Sequence, residues 1–292
     1  MINLAIVLVN YNHARLTIEC INSIVESEQY DNYEIIVVDN NSPDGSANEL
    51  KKRDDIRLIC AKDNRGFAAG SNIGIRYAMN NGYDAVLLLN NDTIIDSHML
   101  SKLISQYDGS TVLSPVMFYS DEPNKIWYAG GHIDRIRARA VHERIGKKTY
   151  KCRDWDKTID FLTGCCMLIP ISIIRRVGLF DEDFFMYYED VDYSLKLKQL
   201  GVNMKCIPSA HLWHKVGASS GKKSAMNAYY DTRNRLYVIQ KYRFGILAYV
   251  YFYSGRWLRI VLSWIMHDGM AKHIAKGMRD YHRGIRGKVD CV

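Results

Sequence analysis

Residues 85–92 have the sequence Ala-Val-Leu-Leu-Leu-Asn-Asn-Asp, and this stretch decides the fold class. Five consecutive apolar residues predict a strand that is buried on both faces at the centre of a sheet. Two amides and a carboxylate follow at its C-terminal end, where open α/β sheets bind their ligands. A carboxylate at that position can hold a divalent cation against a diphosphate. On this stretch alone, an equally good explanation is that Asn91 or Asp92 caps a following helix.

Short β-branched runs alternate with helical patterns on both sides of this strand. The alternation predicts an α/β fold with a mostly parallel central sheet flanked by helices. The predicted strands are residues 4–9, 34–39, 56–60, 85–89, 112–118 and 161–170. Helices are predicted at 14–27, from the Gly-rich segment 64–74 to residue 80, from Glu189 or Asp190 to Leu200 with Gly201 as its cap, at 225–242 and at 244–266. The basic, weakly patterned residues 135–153 predict a mobile loop or hairpin.

The composition excludes several classes of protein. The chain has 292 residues, of which 48% are hydrophobic and 24% charged, with only five prolines, so disordered and collagen-like chains are excluded. Its seven cysteines show neither C-x-x-C spacing nor a Cys/His zinc pattern, so we expect reduced thiols and a cytosolic protein. The first ten residues lack a basic leader and a cleavage site, which favours a first strand over a signal peptide.

The positive charge is concentrated at the C-terminal end. Residues 222–292 carry 14 Lys and Arg against 4 Asp and Glu, whereas residues 1–221 carry 25 against 28. Such a segment attracts phosphates, in nucleic acid or on an anionic membrane. The aromatic helix predicted at 244–266 is interrupted by Arg256 and Arg259, which favours a helix in the membrane interface over a spanning one. Packing of this helix on the rest of the protein is the alternative.

Three carboxylates lie within four positions in residues 184–192, Phe-Phe-Met-Tyr-Tyr-Glu-Asp-Val-Asp. The helix dipole stabilises carboxylates in a first turn, which explains one or two of them structurally. Aromatic residues beside carboxylates also suit a sugar ring and its general base. His211 and His214 follow in a further polar motif. This pair indicates a functional site only if it lies close to Asp92 in the folded protein. The segment 64–74 lacks G-x-G-x-x-G and does not follow the first strand, so a dehydrogenase is disfavoured.

Eight segments match one family in its own order. They are residues 7–12 (Val-Leu-Val-Asn-Tyr-Asn), 37–46 (Val-Val-Asp-Asn-Asn-Ser-Pro-Asp-Gly-Ser), 64–74, 89–92, 161–164 (Phe-Leu-Thr-Gly), 188–192, His214 with Ser219, and 229–235 (Tyr-Tyr-Asp-Thr-Arg-Asn-Arg). In these segments the chain resembles the inverting family 2 glycosyltransferases of the GT-A fold, most closely their bacterial rhamnosyltransferase-like members. The resemblance implies a catalytic domain at 1–221, with a nucleotide-sugar half to about residue 120 and an acceptor half at 121–221. Residues 222–292 would form a basic helical extension.

The resemblance also implies roles for individual residues. On the donor side, Tyr11 and Asp39 would contact the base, Arg65 and Asn72 would help to hold the nucleotide, and Asn91 would lie near its ribose or diphosphate. Asp92 takes the place of the last acid of the family's D-x-D motif and would bind Mg²⁺ or Mn²⁺ with His214. On the acceptor side, Asp190 matches the general base, Glu189 and Asp192 would orient it or the acceptor, and Thr163 and Gly164 would contact the acceptor.

The chain departs from the family at the metal, because Asn90 replaces the first acid of D-x-D. One carboxylate and one histidine are a weak cage for a hard cation, which would then depend on diphosphate oxygens. A single displacement needs only a base and a charge-stabilising metal, so no covalent nucleophile is required. Cys165 and Cys166, flanked by apolar residues, are therefore predicted to be core thiols.

The resemblance implies a hexosyltransferase that uses dTDP-L-rhamnose to extend a lipid-linked saccharide in bacterial surface polysaccharide synthesis, such as O-antigen or capsule. Another hexose from a UDP- or GDP-sugar is the alternative. A sugar-phosphate nucleotidyltransferase would need a glycine in the loop after the first strand, which residues 10–14 lack. A nucleic-acid-binding protein is the alternative from a different class, and we expect no nucleic acid. We expect a peripheral enzyme at the inner face of the cytoplasmic membrane; a homodimer is compatible with the sequence.

Overall fold

The computed structural model describes residues 2–148, 159–217 and 225–289. Its strands are β1 (Leu4–Asn10), β2 (Tyr33–Asp39), β3 (Arg57–Cys60), β4 (Ala85–Asn90), β5 (Thr93–Ile95), β6 (Thr111–Tyr119), β7 (Ile126–Tyr128), β8 (Gly131–Asp134), β9 (Arg139–His142), β10 (Cys166–Pro170) and β11 (Asn203–His214). Its helices are α1 (Ala14–Val25), α2 (Ser46–Leu50), α3 (Phe67–Asn80), α4 (Met99–Ile104), α5 (Ile171–Val177), α6 (Glu189–Gln199), α7 (Ala225–Lys241), α8 (Ile246–Met266) and α9 (Met270–His282).

The central sheet has the order β3-β2-β1-β4-β10-β6-β11-β5, with β7 paired to β6. The first four strands are parallel, as predicted. The other half is mixed, because β10 runs antiparallel to both β4 and β6, and β5 and β7 also pair antiparallel with their neighbours. The prediction of a mostly parallel sheet therefore holds for the first half only. A fully buried apolar strand has the same composition whether it runs parallel or antiparallel to its neighbours, so the sequence does not reveal its direction.

Strand β4 is the centre of the sheet, between β1 and β10, and residues 85–89 are buried. The next element after Asn90 is the short strand β5, and α4 begins only at Met99 with His98 as its cap. Asn91 and Asp92 therefore do not cap a helix. The helix-cap explanation for the motif is therefore excluded, and Asn90, Asn91 and Asp92 line the cavities at the end of β4.

The Gly-rich segment brings α3 close to β1. Gly70 and Gly74 are one helical turn apart, and a Cβ added to them would lie 2.8 Å from Val9 and 2.4 Å from Val7. Gly70 and Gly74 therefore serve close packing of helix on strand, which explains these two glycines without a dinucleotide.

The C-terminal helices form a layer of their own. Helix α7 packs on α9 and on the loop before α6, and α8 buries little beyond Ala248, Phe252 and Ser263. Large apolar side chains on α8 are 41% to 73% exposed: Ile246, Leu247, Val250, Tyr251, Trp257, Leu258, Val261, Leu262, Trp264, Ile265 and Met266. In the described ranges, no helix is both long and apolar enough to cross a membrane. The predicted boundary at residues 221 and 222 lies outside the described residues.

Candidate active site

Two cavities meet at the C-terminal end of β4. The narrow cleft has a volume of about 190 Å³ and the wide cavity a volume of about 520 Å³. Both are lined by Phe67, Asn90, Asp92 and Met186, so the two cavities adjoin at these residues. Of the residues predicted to act, Tyr11 and Asn91 also line the narrow cleft, and Thr163, Gly164, Glu189, Asp190 and His214 line the wide cavity. Two adjoining cavities can accommodate two substrates side by side.

A largely buried chain of hydrogen bonds begins at Asn91, which lines the narrow cleft, and continues through residues that do not line it. The Asn91 amide donates to the Thr17 hydroxyl at 2.8 Å, and that hydroxyl donates to the Asn10 side-chain oxygen Oδ1 at 2.6 Å. The Asn10 amide in turn donates to the Asp39 carboxylate at 2.7 Å, which also accepts the Ser42 hydroxyl and N–H. The predicted donor residues Asp39 and Asn91 are thus joined across the ends of β1, β2 and β4. Such a connected network holds the strand ends in one arrangement.

Arg65 and Asn72 lie differently from the prediction. The half-exposed guanidinium of Arg65 pairs with Glu182 at 3.2 Å and lines a neighbouring cavity of about 380 Å³. The Asn72 amide is buried, donates to the Phe180 carbonyl and to Glu182, and accepts the Phe180 N–H, each at 2.9 to 3.0 Å. All of these bonds tie α3 to residues 180–182. The prediction that Asn72 holds the nucleotide is therefore corrected: its side chain has a structural role.

Asp92 and His214 meet as the metal hypothesis requires. The His214 Nε2 lies 3.1 Å from the Asp92 Oδ1, and both side chains are more than nine-tenths buried. They are brought together because His214 pairs with Thr93 where β11 runs beside β5. His211, three residues earlier, instead contacts the Pro208 carbonyl. Among the described residues no third His, Cys, Asp or Glu completes a metal-binding group. An oxygen and an imidazole nitrogen suit Mg²⁺ or Mn²⁺ only as part of a shell that the ligand completes.

Asp190 stands at the start of α6 with its carboxylate held by two backbone donors. Its Oδ2 accepts the Gly164 N–H at 3.1 Å and its Oδ1 accepts the Val191 N–H at 2.8 Å. Burial raises the pKa of Asp190, and these donors oppose the rise. Gly164, predicted to contact the acceptor, thus orients the candidate base. The carboxylate lines the wide cavity, and its raised basicity suits a proton acceptor.

Glu189, the adjacent acid, has a different environment from Asp190. Its side chain is buried, and its Oε2 has no hydrogen-bond partner among the described residues. Burial first, and the charge of Asp190 second, raise the pKa of Glu189 to about 8. At neutral pH Glu189 is therefore mostly protonated, which makes it a poor proton acceptor.

Asp192 does not reach the wide cavity. It is fully buried, and its carboxylate pairs with Lys241 at 2.6 Å and Lys196 at 3.1 Å and accepts the Tyr242 hydroxyl at 2.9 Å. The predicted acceptor contact of Asp192 is therefore corrected: this carboxylate attaches α6 to the end of α7. Paired lysines are the usual compensation for so deeply buried a charge.

Two residues of the wide cavity have no counterpart in the sequence prediction. Trp127 comes from β7 and His142 from the hairpin β8–β9, within the segment predicted as a loop or hairpin. The Trp127 ring packs edge-on against His142 at 4.9 Å and against His214 at 4.4 Å. Burial lowers the pKa of His142, so its imidazole is neutral. An isolated aromatic in an irregular segment gives no periodic signal, which is why the sequence pattern did not single them out.

The two adjacent cysteines are core thiols, as predicted. Cys165 and Cys166 are buried, and burial raises the pKa of both thiols well above the usual value. A thiol that stays protonated is a poor nucleophile.

A family model and two curated relatives agree on the family of this chain. The family model described as glycosyl transferase family 2 matches residues 5–178. The chain is 24% identical over 248 residues to the dTDP-rhamnosyl transferase RfbF of Shigella flexneri, covering 82% of this chain and 80% of that one. It is also 24% identical over 260 residues to the N-acetylglucosaminyl-diphospho-decaprenol L-rhamnosyltransferase of Mycobacterium tuberculosis, covering 81% and 80%.

The fold agrees with a solved transferase. The mannosyltransferase PcManGT from Pyrobaculum calidifontis, solved in complex with GDP-Man and Mn²⁺, superimposes with a TM-score of 0.61 at 14% identity. The match covers 96% of this chain and 87% of that one. The predicted GT-A fold is thereby confirmed.

Proposed function

Because the chain belongs to glycosyl transferase family 2, we propose that it transfers a sugar from a nucleoside-diphosphate donor to a saccharide acceptor with inversion at the anomeric carbon. The supporting observation is that the narrow cleft and the wide cavity adjoin, with Asp92 lining both and Asp190 lining the wide cavity. The nucleotide occupies the narrow cleft against Tyr11 and Asn91. The acceptor occupies the wide cavity between Trp127 and Asp190.

The reaction is a single displacement. The acceptor hydroxyl oxygen attacks the anomeric carbon, the bond from that carbon to the diphosphate oxygen breaks, and the hydroxyl proton passes to the Asp190 carboxylate. Gly164 holds Asp190 through its backbone N–H. Glu189, protonated at neutral pH, supplies a neutral neighbour that does not compete for the proton.

A divalent metal, when bound, would neutralise the charge that develops on the leaving diphosphate. Asp92 and His214 would hold it, and the diphosphate would supply further ligands. The Mn²⁺ present with the solved mannosyltransferase supports this use of a metal.

The donor is best assigned as dTDP-L-rhamnose, since the relatives in Shigella and Mycobacterium are named as rhamnosyltransferases. A UDP- or GDP-hexose is the alternative, supported by the GDP-Man bound to the mannosyltransferase. A panel of dTDP-, UDP- and GDP-sugars tests this, with thermal shift and release of nucleoside diphosphate as readouts. We expect stabilisation and slow hydrolysis with dTDP-rhamnose. Stabilisation by a UDP- or GDP-sugar alone would transfer the assignment to that donor.

Metal and donor should bind synergistically, because the described protein supplies only Asp92 and His214. We expect Mn²⁺ to bind roughly 10- to 100-fold more tightly with dTDP present than without it, measured by calorimetry. His214→Ala should remove most of this gain, whereas the control His211→Ala, on the same strand, should retain it. Equal Mn²⁺ affinity with and without dTDP would contradict the shared shell.

The acceptor is proposed to be lipid-linked, with the enzyme at the inner face of the cytoplasmic membrane. The exposed residues of α8 include no charged side chain, because Arg256 pairs with Asp231 and Arg259 with Asp268 on the protein side. Basic residues of α9, including Lys272 and Arg279, add attraction to anionic lipid of about 1 kcal/mol each near the surface. The apolar face would lie in the membrane interface.

Vesicle co-sedimentation tests this attachment. We expect binding to anionic vesicles that weakens at high salt, and a loss of binding of at least 10-fold in the double variant Trp257→Ser/Trp264→Ser. Leu200→Ser, which changes an exposed apolar residue elsewhere, is the matched control. Absence of vesicle binding together with a doubled mass in light scattering would instead assign the α8 face to a second copy of the chain.

A further inference from the structure

The loop before the candidate base has an unusual backbone. Tyr187 and Tyr188 both have positive φ angles, 64° and 72°, in the left-handed region. Residues other than glycine adopt this region rarely, and two in succession persist only when their surroundings hold them. Glu189 and Asp190 follow immediately, so whatever holds the two tyrosines also sets the start of α6. Met186 and Tyr187 themselves line the wide cavity.

Asn234 of α7 supplies that support. Its Nδ2 donates to the Met186 carbonyl at 2.8 Å and to the Tyr187 carbonyl at 3.0 Å. Its side chain is fully buried. On the other side of the loop, the Phe67 N–H donates to the Phe185 carbonyl. Three successive carbonyls, of residues 185 to 187, are thus held from outside the loop.

The orientation of the Asn234 amide is fixed by Arg233. The Arg233 Nε donates to the Asn234 Oδ1 at 3.0 Å, and a guanidinium can only donate, so the Asn234 Nδ2 must face the loop. Arg233 is itself fully buried, donates to the Gly287 carbonyl at 2.9 Å and lies over the Tyr230 ring at 4.9 Å. The pair is therefore a rigid support.

A second attachment lies one turn into α6. Asp192 is held by Lys241 and Tyr242, at the end of α7 and just beyond it. Helix α7 therefore holds the start of α6 through Asn234 and its first turn through Lys241. The candidate base Asp190 is therefore held in place by α7, a helix that the family resemblance assigns to a C-terminal extension.

We propose that Asn234 is a positioning residue for Asp190, and that α7 is part of the catalytic unit. The inference rests on the proposed function for the role of Asp190 as base. Loss of the two hydrogen bonds would free Tyr187 and Tyr188 to return to ordinary backbone angles and would turn the Asp190 carboxylate away from the Gly164 N–H. A displacement of about 1 Å in a catalytic group can cost on the order of 100-fold in rate.

The test is Asn234→Asp. This variant keeps the size and the oxygen that faces Arg233, and it gains an ion pair there, but it loses both donors to the loop. We expect kcat to fall 10- to 100-fold with the donor KM changed less than about threefold. Amide hydrogen exchange of residues 185–190, measured without substrate, should accelerate at least 10-fold. Asn234→Ala, which introduces no charge, should behave in the same way.

Thr232→Ala is the matched control. Thr232 is buried on the same helix, but its hydroxyl bonds to the Ala228 carbonyl and its side chain faces Gly277 of α9, away from the loop. It should lower stability while leaving loop exchange and kcat near wild type. Unchanged exchange in both Asn234 variants, or faster exchange with unchanged kcat, would overturn the positioning role. Full activity of Asp190→Asn would instead overturn the proposed base, a failure recognisable because loop exchange in the Asn234 variants would still be accelerated.

Discussion

Asp190→Asn should lower turnover by roughly 10² to 10⁴ while leaving donor affinity little changed. The amide keeps the size of the carboxylate, and its single oxygen can still accept one of the two N–H groups, from Gly164 or from Val191, but it cannot take the acceptor proton. Asp190 lies in the wide cavity and does not line the narrow cleft where the nucleotide is proposed to bind. Turnover is measured as the steady-state rate of nucleoside-diphosphate release, and donor affinity is measured by calorimetry.

Glu189→Gln is the control for this assignment. Because the pKa of Glu189 is about 8, its ordinary state in the folded protein is the neutral acid, which glutamine mimics. We expect a loss of turnover below about 10-fold. If Asp190→Asn keeps near wild-type turnover, or loses activity only because donor binding or folding is lost, Asp190 is not the base and the role passes to Glu189.

Glu189 also gives the protein a pH-dependent stability. Its folded-state pKa is raised from 4.5 to about 8, so folding takes up a proton between these values and stability falls as the pH rises through that window. Glu189→Gln removes this dependence. We expect the variant to match wild type near pH 4 and to exceed it by about 4 kcal/mol near pH 8, measured by urea unfolding. Equal stability of the two proteins at pH 8 would contradict the raised pKa.

The sequence predicts the parts of the site that are local. The apolar run of β4 with Asn90, Asn91 and Asp92 at its end lies where the pattern placed it, and α6 begins at Glu189 as expected. These features follow from burial, strand ends and the helix dipole, which act over a few residues. The sequence pattern alone does not place His214 beside Asp92. The two side chains meet because β11 pairs with β5 in the sheet.

The errors concern polar residues whose partners are distant in sequence. Asn72 and Asp192 fit a binding motif, but Asn72 bonds to Glu182 and Asp192 pairs with Lys241 as well as with the local Lys196, and no periodicity connects Glu182 or Lys241 to them. A polar side chain next to a site is equally able to bind a ligand or to satisfy a buried group of the protein. Only the three-dimensional arrangement distinguishes the two uses, and the same holds for Asn234.

Gly66→Ala should be the most damaging single methyl addition at the site. Gly66 lies in the narrow cleft with φ 92° and ψ −179°, a region that only glycine adopts readily. A Cβ there would lie 2.0 Å from the Phe185 carbonyl oxygen, which is backbone and is held by the Phe67 N–H. The strain and the overlap together should lower the free energy of unfolding by roughly 3 to 5 kcal/mol. Urea unfolding measures this.

Gly82→Ala is the control that separates backbone strain from steric overlap as causes of the destabilisation in Gly66→Ala. Gly82 also has a positive φ, 76°, but a Cβ there would meet no atom within 4 Å, so this variant carries the backbone cost alone, about 1 kcal/mol. If the loop at Phe185 yields to the new methyl group, the loss in Gly66→Ala will appear less in stability than in donor affinity and turnover, because that loop leads directly to Asp190. A Gly66→Ala protein as stable and as active as Gly82→Ala would show that the two walls of the cleft do not approach as closely as their backbones indicate.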